Sequence, residues 1–364
     1  MRKFKEKMKK MKVAVLVSGG VDSSVALQLL KNQGHDVTAF YLKIWLEDEL
    51  SYLGDCPWET DLAFVKQVCE QLKVPLYVVS LQKEYKDEVV AYTIAQVKAG
   101  LTPNPDILCN QRIKFGLFLD KIDASFDKVA SGHYAQVREK DGIFELFQSP
   151  DPIKDQTYFL SHLNQQQLAR VMFPIGHLHK SEVRALAHEF NLPNKDRKDS
   201  QGICFLGKFK FSDFIRHHLG TETGLMIESE TGAVMGNHDG FWFYTIGQRQ
   251  GLGLGGGPWY VVAKDIHKNI IYISRNYYDA EKKRDSLVVE NFHWLSGVRP
   301  GTDKLVVKLR HGAQRYDATI AYKEGKGMIQ LSGRDQGIAS GQFAVFYDGD
   351  VCLGNAVIAH STHL

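Results

Sequence analysis

The chain has no run of about 18 apolar residues anywhere in its 364, which excludes a membrane-spanning helix. Cysteine is scarce: Cys56, Cys69, Cys109, Cys204 and Cys352 are scattered, with no Cys-x-x-Cys pair and no Cys/His cluster at zinc spacing. A disulfide miniprotein is thereby excluded, and no zinc site built from cysteine and histidine is expected. No apolar leader or Arg/Ser-rich amphipathic segment opens the sequence. A reducing, cytoplasmic setting is therefore expected, in which a cysteine matters through its reactivity. Charge of one sign is lacking too. The formal net charge is +3, but residues 1–12 alone carry seven Lys/Arg against one Glu, which leaves the other 352 residues at −3. Global charge gives no argument for nucleic acid, so any such binding needs a local patch. The hydrophobic share of 44% is that of a folded globular protein and excludes a disordered chain.

The texture that is present changes once along the chain. From Lys12 to about Ser131, apolar runs alternate with amphipathic helical patterns. Lys12–Ser18, His35–Trp45, Leu76–Ser80 and Lys128–Ser131 read as strands. Ser23–Gln33, Asp61–Leu72, Tyr85–Lys98, Ile113–Lys121 and Ser181–Phe190 read as helices. That alternation predicts an α/β fold, a doubly wound parallel sheet covered on both faces. After about Phe211, Gly, Thr and aromatic residues rise and short alternating runs take over, such as Ile270–Ser274, Leu305–Leu309 and Ala344–Tyr347. These predict two small β-rich, barrel-like domains. The expected division is a basic tail at 1–10, a catalytic domain at 11–211, a central β-rich domain at 212–284 and a C-terminal barrel at 285–364. Gly247–Gly257 reads either as a flexible loop or as one that closes on an ordered partner.

Four segments carry chemistry. Ser18-Gly19-Gly20-Val21-Asp22-Ser23-Ser24 joins the first strand to a helix. Its glycines let the backbone approach a phosphate, and backbone N–H groups, hydroxyls and the helix N-terminus converge on the anion. It lacks the Lys of a Walker loop. The second segment is Thr102-Pro103-Asn104-Pro105-Asp106-Ile107-Leu108-Cys109-Asn110. Its prolines break the preceding helix, and Asp106 and Cys109 sit one helical turn apart. Cys109 near a helix start would have its thiolate favoured, against the plainer reading of a buried core cysteine. The third, Lys198–Phe205, places Cys204 beside Lys195, Arg197 and Lys198, whose charge lowers a thiol pKa. The fourth, Ser131-Gly132-His133-Tyr134, follows a strand where a doubly wound fold keeps its ligand; His133 alone reads as structural as readily as functional.

The first loop resembles that of ATP pyrophosphatases, which cleave ATP between the α- and β-phosphates and adenylate a carbonyl oxygen. With TPNPDILCN, SGHY, KDQTYFL, DSQGICF, GQRQGLG and VFYDGDVCLG, in order from residue 18 to about 354, the chain is similar to the bacterial tRNA-specific 2-thiouridylases. The resemblance implies ATP with Mg²⁺, adenylation of O2 of the tRNA wobble uridine, and sulfur transfer from a cysteine persulfide. It places ATP on Leu16, Val17, Ser18, Gly19, Gly20, Val21, Asp22 and Ser23, with Leu42 and Gly132 at the nucleotide. Cys204 would carry the persulfide, Cys109 would resolve it, and Asp106 would act as acid/base. Asn104 and Pro105 would surround the uracil, while His133, Lys154, Asp155, Gln156, Arg310, His311 and Gln342 would contact tRNA. Implied partners are tRNA and a persulfide-carrying donor protein, acting on a monomeric chain. The alternatives are an amidating synthetase acting on a small metabolite, a non-catalytic RNA-binding protein, and an iron–sulfur variant using Asp106, Cys109 and Cys204.

Overall fold

The computed structural model describes residues 9–44, 57–199, 210–277, 284–335 and 337–359. Strand β1 (Lys12–Leu16) alternates its side chains between two cores: Val13 and Val15 face one, Ala14 and Leu16 the other. A strand buried on both faces is the mark of a parallel α/β sheet. Its partners are β2 (Asp36–Lys43), β3 (Leu76–Ser80) and β4 (Lys128–Ala130). After a hairpin of β5 (Ala135–Lys140) and β6 (Ile143–Gln148), the short β7 (Val171–Met172) completes the sheet. The order is β3-β2-β1-β4-β7, all parallel. The chain runs outward from β1 through β2 to β3 and then crosses to β4 on the other side of β1, so the C-terminal ends of β1 and β4 flank the topological switch point.

Helices Val21–Asn32 and Pro57–Leu72 cover one face through Leu27, Leu30, Val65, Val68 and Leu72. Helix Lys180–Glu189 packs on the flank of the first through Val183 and Ala187. The other face is covered by Gln82–Tyr85, the π-helical Lys86–Val90 and Ala91–Lys98, and then by Pro105–Leu108, the π-helical Cys109–Leu117 and Phe118–Lys121. Helix formation thus begins earlier than the apolar period alone suggests. Pro105 takes the first helical position, where its missing N–H is no loss, and the Asn104 side chain accepts from the Ile107 amide at 3.4 Å.

Helix Phe211–Leu219 leads into β8 (Gly224–Glu228), β9 (Val234–His238), β10 (Tyr260–Asp265) and β11 (Ile270–Ser274), ordered β10-β11-β8-β9. Between β9 and β10 the glycine-rich loop ties itself down: the Gly247 amide donates to Val261 O at 2.8 Å, and the Gln248 side chain accepts from Thr245 N at 3.0 Å. Six more strands follow: β12 (Ser286–Trp294), β13 (Lys304–Lys308), β14 (Tyr316–Lys323), β15 (Lys326–Leu331), β16 (Phe343–Asp348) and β17 (Val351–Ile358). They close into a barrel because β12 pairs with both β15 and β17.

One feature crosses the expected boundary near residue 211. The β5–β6 hairpin extends the barrel sheet, with Phe147 opposite Val351 and Leu146 opposite Cys352. Leu146, Tyr158, Phe343, Val345 and Tyr347 therefore share a core cluster with Leu16 and Phe40 of the parallel sheet.

Candidate active site

The loop after β1 is held by its own hydroxyls. Ser23 and Ser24 each donate to Gly20 O at 3.1 Å, and Ser23 Oγ accepts from the Ser18 amide at 3.2 Å. Gly19 has φ +79°, and a Cβ there would lie 2.6 Å from the Asp61 carbonyl oxygen. Asn194, buried beneath the loop, donates to Gly19 O at 2.8 Å and to Ser24 Oγ at 2.9 Å. Gly132, just past β4, touches the same loop: a Cβ on it would stand 2.6 Å from Ser23 N. Two backbone segments at the switch point thus meet without side chains between them, as a phosphate cradle at a helix N-terminus requires.

Charges converge on the loop's single acid. Lys180 Nζ donates to both Asp22 oxygens, at 2.7 and 2.9 Å, and the Tyr134 hydroxyl donates to Asp22 Oδ1 at 2.8 Å. Lys180 also lies 2.8 Å from Asp199, which takes further contacts from Lys154 at 2.7 Å and Arg184 at 2.6 Å. Burial opposes ionisation of Asp199, but the hydrogen bonds from Lys154 and Lys180 outweigh it and hold the carboxyl well below the ordinary range. Gln156 accepts from the Tyr134 amide at 3.0 Å. Residues from four separate sequence segments are thereby locked around Asp22.

The proline-rich segment is fixed from the barrel side. Gln342 Nε2 donates to Pro103 O at 3.0 Å, the Thr102 amide donates to Ser340 O at 2.8 Å, and Tyr158 OH donates to Phe343 O at 3.0 Å. Cys109, 1% exposed, opens the π-helical stretch, whose Phe115 ring stands 5.9 Å from that of His133. Burial, and then the Lys114 charge, push the His133 pKa well below its ordinary value, so it is a neutral ring held by Ser131 Oγ at 2.7 Å. Phe159 stacks on His311, with ring centroids 4.6 Å apart. Burial lowers the His311 pKa, partly offset by the Asp155 carbonyl and carboxylate and by nearby Asp106.

Comparison with known proteins assigns the family. Residues 11–208 match the profile of a tRNA methyl transferase HUP domain, 212–275 a tRNA methyl transferase PRC-barrel domain, and 284–358 an aminomethyltransferase beta-barrel domain. The chain is 47% identical to the tRNA-specific 2-thiouridylase MnmA of Parabacteroides distasonis, over 97% of this chain and 100% of the relative. The chain belongs to the MnmA family. The Porphyromonas gingivalis MnmA is 46% identical over 96% of this chain and 99% of its own, and MnmA 1 of Bacteroides thetaiotaomicron is 44% identical over 96% and 99%. These relatives do not favour an amidating synthetase.

Within this MnmA-family chain, most of the expected site residues fall into two groups. Leu16–Ser23, Gly132, His133, Lys154 and Gln156 gather at the switch point, while Leu42 packs from β2 against the core beside it. Asn104, Pro105, Asp106, Cys109, His311 and Gln342 gather where the proline-rich segment meets the barrel. Asp155 departs from the surface role expected of it. Its carboxylate is 1% exposed and is spent on Lys308 at 3.0 Å, Gln148 at 3.0 Å and Thr157 Oγ1 at 2.9 Å, because the hairpin and barrel close over it. Arg310 is exposed but paired with Asp335 at 2.6 Å. Cys204, the segment 200–209 and the basic tail 1–8 lie outside the described residues. The sequence reading missed Lys180, Arg184, Asn194 and Lys308. Lys180 carried a usable signal, since a cation at the first position of a helix runs against the dipole and implies an acid nearby.

Proposed function

We propose that this chain performs ATP-dependent 2-thiolation of the wobble uridine of tRNA, through adenylation of uracil O2 and sulfur transfer from a cysteine persulfide. The observation that carries the assignment of ATP is the contact of Gly132 with Ser23 N across the switch point, above a loop whose acid is clamped by Lys180 and Tyr134. The loop Leu16–Ser23 receives the phosphates, with Leu42 and Gly132 beside the nucleoside. Among the described residues, no three His, Cys, Asp or Glu converge as a metal site. A Mg²⁺ ion would therefore rest on Asp22, whose half-buried carboxylate is a hard oxygen donor, and on phosphate oxygens. When bound, it supplies charge neutralisation to the departing pyrophosphate.

The roles on the protein side are those the family resemblance implies. Asn104 and Pro105 frame the target base, and Asp106, in the first helical turn, moves the proton. Uracil O2 attacks the α-phosphate and pyrophosphate leaves. The terminal sulfur of a Cys204 persulfide then attacks C2 and AMP leaves. Cys109 attacks the inner Cys204 sulfur, and the resulting disulfide is reset by an external thiol. The persulfide comes from a donor protein. The base must be unstacked to arrive there, and His133, Lys154, Gln156, Arg310, His311 and Gln342 lie on the tRNA side. A monomeric, cytoplasmic chain divided at about residues 10, 211 and 284 accords with this reading; no helix among the described residues is long and apolar enough to cross a membrane.

The thiols test it. Cys204→Ser should fail to load persulfide yet still release pyrophosphate with tRNA present. Cys109→Ser should load Cys204 and stall before product. Alkylation followed by peptide mass analysis reads both states. Thiolated tRNA made by Cys204→Ser with the persulfide donor would overturn the relay.

A further inference from the structure

The C-terminal barrel ends in a second concavity, built from residues that neither the loop chemistry nor the proline-rich segment uses. Phe292 and Trp294 stand two apart on β12, so they share a face, and their rings stack at 5.5 Å and 18°. Tyr322 of β14 tilts against Phe292 at 5.3 Å, and Trp294 rests on buried Phe346 at 5.2 Å. Beneath them the barrel core is already dry, since Val289, Val307, Ile320 and Ile329 are at most 1% exposed. The three upper rings are only partly buried and line a hollow of about 230 Å³ with Arg299, Lys323, Glu324 and Lys326 at its rim. That room suits one planar ring system and falls short of the roughly 300 Å³ at which pockets for whole drug-sized ligands begin.

Two observations indicate what the hollow takes. Lys323 and Lys326 are direct cross-strand partners at the β14–β15 turn, a like-charge pairing that disfavours the hairpin unless an anion lies near. Lys326 reaches Glu290 only at 3.5 Å, with both side chains well exposed, and the Arg299 guanidinium sits 4.3 Å from the Tyr322 ring centre. An aromatic cage for an ammonium ligand would not carry three cations against one acid, Glu324, on its rim. In addition, the Tyr322 hydroxyl is buried with no hydrogen-bond partner among the described residues, a polar group in need of one. We propose that this barrel mouth is a nucleotide subsite that stacks one unpaired base of the bound RNA on Phe292, Trp294 and Tyr322 and holds its phosphate with Arg299, Lys323 and Lys326. The proposal rests on tRNA being the substrate and adds a contact away from the reacting uridine.

The test uses the full chain and an unmodified tRNA transcript bearing a wobble uridine. Trp294→Leu and, separately, the rim variant Arg299→Ala should each weaken tRNA binding about tenfold, with ATP binding by equilibrium dialysis unchanged. Trp294→Phe keeps a stacking ring and should retain affinity, while removing the part of the tRNA-induced tryptophan quench that belongs to Trp294. Parent-like affinity in both Trp294→Leu and Arg299→Ala would overturn the subsite while leaving the 2-thiolation reading intact. So would a quench unchanged in Trp294→Phe. Saturation of the Trp294 quench by free AMP, with tRNA affinity unaltered in the variants, would make the ligand a mononucleotide and overturn the RNA assignment. Failure of the parent itself to bind or thiolate the transcript would bring down both readings.

Discussion

Asp22 and Asp155 are each answered by a lysine more than 150 residues away, yet the two pairs stand in opposite surroundings. Lys180 and Asp22 meet at 2.7 Å with side chains 15% and 31% exposed, whereas Lys308 and Asp155 meet at 3.0 Å with 2% and 1% exposed. The sealed pair has its remaining valences filled by Gln148, Ser149 and Thr157, so it is a joint between the hairpin and the barrel. The open pair shares its lysine with Asp199 and stays partly exposed, so its charge is less fully committed. The same two residue types thus give a sealed anchor when dry and a more loosely committed pair when half wet, because dielectric decides how strongly charge is committed.

The contrast is broken most severely at the sealed pair. Lys308→Met should lower stability by about 3–5 kcal/mol, since it leaves a buried carboxylate without its cation. Lys308→Met/Asp155→Leu should regain part of that loss. Denaturant unfolding checks both, and a single variant as stable as the parent would show that the pair is not an anchor.

At the open pair the effect should appear in rate rather than stability. Asp22→Ala should cut tRNA-dependent pyrophosphate release by about 10²-fold or more, while the melting midpoint moves little. A midpoint that collapses along with the rate would make Asp22 structural, like Asp155.

The smallest effect sharpens the description of the joint. His162 stacks on His293 at 4.4 Å and lies 3.0 Å from Asn355 Oδ1. Burial, followed by the His293 charge, lowers its pKa to about 4. The unfolded chain, with a histidine pKa of about 6.5, therefore takes up this proton first. Stability should fall as pH drops from about 6.5 to 4, by on the order of 1–2 kcal/mol after solvent screening. His162→Phe should flatten that slope in melts recorded across the window, and an unchanged slope would assign the acid sensitivity elsewhere.

Much of the fold was legible because local pattern and tertiary result agree. The runs at Leu76–Ser80 and Ile270–Ser274 are strands with those same ends, and the loop SGGVDSS sits at the strand–helix junction that its glycines and serines imply. The hairpin β5–β6 carries no such local signal. Arg138–Asp141 is charged and Ile143–Gln148 is short, and what makes the latter a stable strand is pairing with β17, which lies some 200 residues later. The site was legible in its motifs but not in its partners. KDQTYFL stands out as a motif, yet nothing local to it says that Asp155 turns inward to Lys308 while Lys154 turns outward to Asp199.

By itself the sequence determined the alternating α/β half, the β-rich half, the phosphate loop and the family. Each of these rests on residues within a few positions of one another: period, turn chemistry and contiguous motif. Only the tertiary structure decided which lysine neutralises Asp22, which face of the 154–156 segment is buried, and that the first half lends two strands to the sheet of the last. Those outcomes depend on burial, and burial is set by which distant surfaces close over a group. A carboxylate in isolation carries no mark of whether water will reach it.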